Sequence, residues 1–205
     1  MSYSHARTRY KSIKKRSFET FLDLFLVSTY IDDKSLHNAN EEKFSAFGYS
    51  DERIPKALTA YQLGNFSAEF DGRPVSDLDN VVDSWYESHD LSPYKLLFQN
   101  KIIPEDDFYE FYKSDDFDRE CNFCSIKESE IDKLILSKKI NTKRLGTRGK
   151  KMEIERLKPN EGYVKDNIAL CCYWCNNAKT DEFTAEEFRP IGKLIGQTLK
   201  NRLNK

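Results

Sequence analysis

At 205 residues the chain is long enough for one large domain or two small ones with a real core. Its 39% hydrophobic and 33% charged content excludes a disordered or fibrous polymer, and no apolar run in it, Leu24–Val27 included, is long enough to cross a bilayer. The formal net charge of −1 conceals a segregation: residues 1–16 carry six basic and no acidic side chains, residues 17–120 nine basic and 23 acidic, and residues 121–205 18 basic and 11 acidic. The overall balance therefore says little about partners.

Residues 1–16 read as a basic arm, either a solvated terminus or a segment that grips phosphates. No apolar stretch with a cleavage site follows it, so no secretory signal is expected. Ser17 stands where an N-cap would, ahead of a helix with Phe18, Phe21, Leu22 and Phe25 at i, i+3, i+4 and i+7. Residues 17–115 form an acidic, mainly helical region, with helices expected over Ile54–Leu63, Ser76–Glu87 and Pro104–Tyr112 and a turn at Asp71–Pro74. The acids Asp115, Asp116, Asp118 and Glu120 follow, and such a run is usually a solvated face. The composition changes near residues 113–120, which sets the expected start of a C-terminal domain at residue 116.

That domain opens on Cys121-Asn-Phe-Cys124. Ser125-x-x-Glu128 has the form of a capping box before Ile131, Leu134 and Ile135. Residues 138–151 then hold seven basic residues, no acidic one, and glycines at 146 and 149. A glycine-bearing basic loop can bring backbone close to phosphates; the other reading is a solvated loop. Met152–Leu157 alternates as a strand, Lys158–Gly162 is a turn, Asn167–Leu170 can return antiparallel, and a helix should begin near Cys172–Asn176. At the C-terminus Thr184-x-x-Glu187 is another capping box, and Pro190 implies a kink or fresh start.

Two Cys-x-x-Cys pairs separated by a few dozen residues match a tetrahedral structural zinc site made by Cys121, Cys124, Cys172 and Cys175, with Cys171 spare. Buried inert cysteines are the competing reading. Paired thiols of this kind suggest a reducing compartment, by default the cytoplasm.

The most specific phrase is Gly162-Tyr-x-x-Asp-Asn167 followed by Cys172-x-x-Cys175-Asn176-x-x-Lys179. Over residues 121–185 the chain resembles the HNH nucleases, whose ββα-metal core often carries two Cys-x-x-Cys pairs joined by zinc. In that family's pattern an acidic residue and a histidine end the first strand, an asparagine starts the second, and a histidine or asparagine lies on the helix. The matching positions here are Glu155, Arg156, Asn167 and Asn176, with Lys179 also fitting. The resemblance implies an α+β fold, with a mainly helical N-terminal region beside a small zinc-stapled ββα core and C-terminal helices. It also implies metal-dependent cleavage of nucleic acid, DNA in preference to RNA.

Glu155 and Asn176 offer hard oxygen ligands suited to Mg²⁺ or Mn²⁺, and Asn167 would hold the loop that positions the catalytic residue. Lys143, Arg144, Arg148, Lys150, Lys151 and Lys179 would contact nucleic acid. Arg156 departs from the pattern, because an arginine stays protonated and cannot accept a proton from water. Another residue would then supply the base, although His5, His37 and His89 all lie outside the core. Alternatively, metal-bound hydroxide suffices and Arg156 clamps the phosphate, or the core binds nucleic acid without cutting it. The reading from a different class is an inactive zinc-knuckle module that binds nucleic acid or a protein partner. The acidic N-terminal region would contact a protein partner or restrain the nuclease; no membrane partner is expected.

Overall fold

The computed structural model describes residues 3–64, 69–70, 73–112, 118–141 and 148–205. The chain forms two compact units, Tyr3–Glu105 and Asp106–Lys205. Among the described residues no helix is long and apolar enough to cross a membrane.

The first unit is built on α1 (Tyr3–Asp33), with α2 (Glu41–Ala46), α3 (Ile54–Gly64), a two-residue hairpin β1 (Glu69–Phe70) and β2 (Arg73–Pro74), α4 (Val75–Ser88) and α5 (Ser92–Leu97). Helix α1 does not start at Ser17. The expected aromatic stripe continues upstream through buried Ala6, Tyr10 and Ile13, so the basic residues that follow Ser4 are helical and their chain is anchored by packing. Tyr10 donates its hydroxyl to the Ile103 carbonyl at 2.9 Å. Phe21 sits edge-on to Phe44 and Phe47, with centroids 5.5 and 5.2 Å away. That aromatic contact sets the centre of this unit's core. Of the expected turn at 71–74, Asp71 and Gly72 lie outside the described residues, and Arg73–Pro74 forms the second strand.

The second unit contains α6 (Glu105–Tyr112), α7 (Glu128–Leu136), β3 (Glu153–Arg156), β4 (Ile168–Cys171), α8 (Tyr173–Lys179) and α9 (Ala185–Leu203). The division between the units falls ahead of the expected 113–120 because α6 bonds into the C-terminal unit. Tyr112 donates to the Met152 carbonyl at 2.6 Å, and Arg119 donates to the Tyr112 carbonyl at 3.2 Å.

Strands β3 and β4 pair antiparallel, with Glu153 opposite Cys171, Ile154 opposite Leu170, Glu155 opposite Ala169 and Arg156 opposite Ile168. Helix α8 follows directly, which completes a ββα unit. Glu153 and Glu155 leave the same face of β3, since side chains alternate along a strand.

Two local expectations change. Helix α7 is capped not by Ser125 but at Lys127, whose N–H is accepted by the Glu130 side chain at 2.9 Å. Glu128 instead turns inward and accepts from the Met152 N–H at 2.6 Å and from Arg119 at 3.0 Å. Asp118, from the acidic run, accepts from the Ser129 N–H at 2.9 Å and so supports the first turn of α7. Pro190 lies inside a continuous α9, which does begin at the expected Thr184–Glu187 box. The carbonyl that Pro190 leaves without a partner belongs to the exposed Glu186, where water can satisfy it.

Candidate active site and metal centre

The candidate metal centre forms where two turns meet. Cys121 and Cys124 lie on a tight loop closed by an antiparallel bridge between Glu120 and Lys127. Inside it the Ser125 N–H bonds to the Cys121 carbonyl, and the Cys121 N–H bonds to the Ile126 carbonyl, each at 3.0 Å. Ser125 adopts φ 53° to close the turn. The loop is tied to the hairpin by the Asn122 N–H, which donates to the Leu170 carbonyl at 2.9 Å. Cys172 caps α8 and Cys175 lies within it, so the end of β4 delivers the second pair.

The four sulfur atoms all lie within 4.8 Å of one another and all four residues are buried; Cys124 and Cys172 Sγ are 3.6 Å apart. A tetrahedral zinc with Zn–S of about 2.3 Å requires sulfurs about 3.8 Å apart, so the donor set fits zinc. Hydrogen bonds from Cys124, Cys172 and Cys175 hold the Cys121 thiol far below its ordinary value, while the same crowding pushes Cys172 and Cys175 up. Four thiols this close shed their protons together only to a cation. Cys171 is buried outside the set, and burial raises its thiol.

Helix α9 closes the centre from outside. A Cβ at Gly196 would stand 2.2 Å from the Cys124 carbonyl oxygen, and one at Gly192 would stand 2.8 Å from Phe123 Cβ. Only glycine lets α9 approach the cysteine loop this closely.

Beside this centre, β3 and α8 bring acids and bases into pairs. Lys179, the last residue of α8, is fully buried, and its Nζ lies 3.5 Å from Glu155 Oε1. The same carboxylate oxygen accepts the Arg156 N–H at 3.0 Å. Burial raises the Glu155 carboxyl above its ordinary value, and Lys179 and Arg156 act against that rise. Two residues earlier on the strand, buried Glu153 accepts from Arg148 through both oxygens, with Nε–Oε1 at 2.7 Å, and also accepts from Asn176 Nδ2.

Arg156 donates through Nη1 to the Pro159 carbonyl at 2.6 Å and through Nη2 to Asp181 Oδ1. Its guanidinium lies 5.1 Å from the Tyr163 ring centroid, while its Nε is buried without a partner. Burial opposes its charge, but Tyr163, Asp181 and Glu155 outweigh burial and keep its pKa above the usual arginine value.

Asn167 holds the loop between the strands from within. Its Nδ2 donates to the Lys158 and Gly162 carbonyls and its Oδ1 accepts from the Lys158 N–H, each at 2.8 Å. Gly162 adopts φ 70° at the turn.

The residues expected at the site thus lie on three neighbouring elements. Glu155, Arg156 and Lys179 come together, Asn176 faces Glu153 rather than Glu155, and Asn167 lies on the loop. Lys150 and Lys151 are exposed, with Lys151 also 3.3 Å from Glu128. Arg148 is half-buried on Glu153 and Lys179 is fully enclosed, so neither stands among the exposed cations. Lys143 and Arg144 lie outside the described residues.

Sequence reasoning missed Glu153, Tyr163 and Asp181. The i, i+2 spacing of Glu153 and Glu155 was a readable signal for the first. Nothing in the sequence marked Asp181, which meets Arg156 only through the fold.

For a catalytic divalent ion, the Glu155 carboxylate and the Asn176 carbonyl oxygen, left over by its Nδ2 bond, are hard donors. Mg²⁺ takes one or two such protein ligands, so each donor suits the ion by its chemistry, with Asn176 turned to Glu153 and Glu155 to Lys179 here. Among the described residues, the four cysteines are the cluster of three or more cysteine, histidine or acidic side chains placed to hold a metal.

No family model and no curated protein matches the chain. The chain is similar to the solved structure of the rare-cutting HNH restriction endonuclease PacI over 68% of its own length and 89% of that chain, at 22% identity and a TM-score of 0.41. Its fold is α+β with a ββα core, a description that rests on the β3–β4 register, the helix that follows and the four-cysteine cluster.

Proposed function

We propose that the C-terminal unit hydrolyses phosphodiester bonds in nucleic acid, DNA in preference to RNA, in a reaction that depends on a divalent ion. The observation that carries this reading is the Glu155–Arg156 pair at the end of β3. A buried carboxylate and a fixed cation stand side by side there, over a helix stapled by four cysteines. Glu155 and the Asn176 carbonyl would hold Mg²⁺ or Mn²⁺, which supplies polarisation of the phosphodiester and acidification of water.

The chain's own residues do the remainder. Arg156 presents N–H donors to a phosphate and, as a permanent cation, is suited to stabilising charge rather than taking a proton. Lys179 compensates the Glu155 charge from beneath. Asn167 fixes the loop that carries Tyr163, the ring lying over Arg156. The Cys121, Cys124, Cys172 and Cys175 centre holds zinc and fixes α8 against the strands. Exposed Lys150 and Lys151, with Lys143 and Arg144 of the same basic segment, would follow the backbone, and the acidic N-terminal unit would meet a protein partner. No histidine occurs between residues 106 and 205. The rate is therefore expected to lack the ~10²–10⁴-fold contribution of a positioned general base.

The test is cleavage of plasmid and single-stranded DNA with Mg²⁺ or Mn²⁺, using wild type, Glu155→Ala and Arg156→His. Nicking that depends on the ion and disappears in Glu155→Ala supports the enzyme. Salt-sensitive binding that survives both changes, with no cleavage by the wild type, would replace it with the binding-module reading.

A further inference from the structure

The pairing of Arg156 is incomplete in a way that bears on how a substrate phosphate enters. An arginine offers a side-on fork, Nε–H and one Nη–H pointing the same way, and this fork matches two oxygens of a phosphate or carboxylate. Here the fork is half filled. Asp181 reaches Nη2 with Oδ1, whereas Nε is buried and has no acceptor. The other side of the guanidinium is committed to the Pro159 carbonyl, and its face to Tyr163. Asp181 itself is 76% exposed, on the turn that follows α8, while the arginine is only 18% exposed. An exposed carboxylate thus lies against a largely enclosed cation and satisfies it only in part.

We infer that Asp181 is a resident mimic of the substrate phosphate: it occupies the anion seat on Arg156, and a phosphodiester must displace it to bind. This rests on the reading of Arg156 as the phosphate contact. A phosphate with two oxygens toward the protein would take up Nη2 and, after a small shift, the orphaned Nε, an exchange favoured by the donor that Asp181 leaves unmet. The carboxylate keeps the buried guanidinium paired when no substrate is present. It also makes entry selective for ligands that bring both negative charge and a second acceptor. Asp181 is therefore a positioning and specificity residue and not a catalytic one.

The experiment measures binding of a fluorescein-labelled 20-base-pair DNA duplex to the zinc-loaded full chain by anisotropy, at fixed salt and without added divalent ion. Asp181→Asn removes the charge and keeps the size, and it should tighten binding by about three- to tenfold, the scale set by one exposed ion pair. Glu182→Gln removes the neighbouring exposed charge and should give a clearly smaller change. In an Arg156→Gln background, Asp181→Asn should have no effect. Unchanged or weaker binding by Asp181→Asn overturns the inference. An equal gain from Glu182→Gln, or a gain that persists without Arg156, also overturns it by revealing a general field effect. Absence of Glu155-dependent cleavage would remove the nuclease reading but would leave this binding result standing.

Discussion

Gly196→Ala puts the fit between α9 and the cysteine loop to a quantitative test. At an open helical position the change to alanine would stabilise by about 1 kcal/mol. At Gly196 the new Cβ would lie 2.2 Å from the Cys124 carbonyl oxygen and 3.1 Å from Cys124 Cβ. A tolerable carbon–oxygen contact is about 3.3 Å, so either α9 or the loop must retreat by about 1 Å. The obstacle is backbone, and that backbone carries one of the four clustered cysteines, so no rotamer change relieves it. Overpacking typically costs ~1–3 kcal/mol, and more where backbone must move. The net expectation is a loss of roughly 1–2 kcal/mol after the propensity gain.

Urea denaturation should show a lower midpoint with an unchanged slope, and a chromogenic chelator should remove zinc faster than from wild type. Gly48→Ala serves as the control, since nothing lies within 4 Å of a Cβ there. If Gly196→Ala is as stable as wild type and holds zinc equally well, the close approach of α9 to the cysteine loop is wrong.

Three further outcomes are expected. Cys172→Ser should reduce bound zinc to well below about one per chain and remove the cooperative unfolding of the C-terminal unit, because metal affinity and folding are one free energy here; a full zinc complement by elemental analysis would contradict the four-cysteine site. Lys179→Met should destabilise by ~3–5 kcal/mol, since it strands the buried Glu155 carboxylate, and adding Glu155→Gln should recover part of that loss; simple additivity in urea melts would show that the two do not interact. Burial holds the Glu155 carboxyl above its ordinary value, so the folded state retains a proton that the unfolded state has released. Stability from this group is full below the unfolded pKa of ~4.3 and declines as pH rises through the folded value. Urea midpoints from about pH 4 to about 7, without added divalent ion, should fall for wild type relative to Glu155→Gln; a relative rise would reverse the assignment.

What sequence alone determined is what short-range rules control. The two Cys-x-x-Cys spacings marked the four thiols that gather into one cluster, because a tight turn and a helix start each place two thiols at that interval. Alternation from Met152 to Leu157 and the Lys158–Gly162 turn located the hairpin. Asn167 was readable as the residue that holds the loop, since its partners lie within nine positions of it. Thr184 and Glu187 announced the start of α9 through a contact contained in four residues.

The tertiary structure decided everything whose partner is remote. The basic arm became part of α1 because its apolar positions Ala6, Tyr10 and Ile13 have a core to bury against. Ser125 lost the cap it seemed to offer, since the cysteine loop required its positive φ. Lys179 read as one more basic residue, but the packing of α8 on β3 enclosed it beneath Glu155. Arg156 read as the position where a base is missing. Asp181, 25 residues away, gives it an exposed carboxylate as partner. No spacing rule connects those two residues, because only the return of β4 and the end of α8 bring them together.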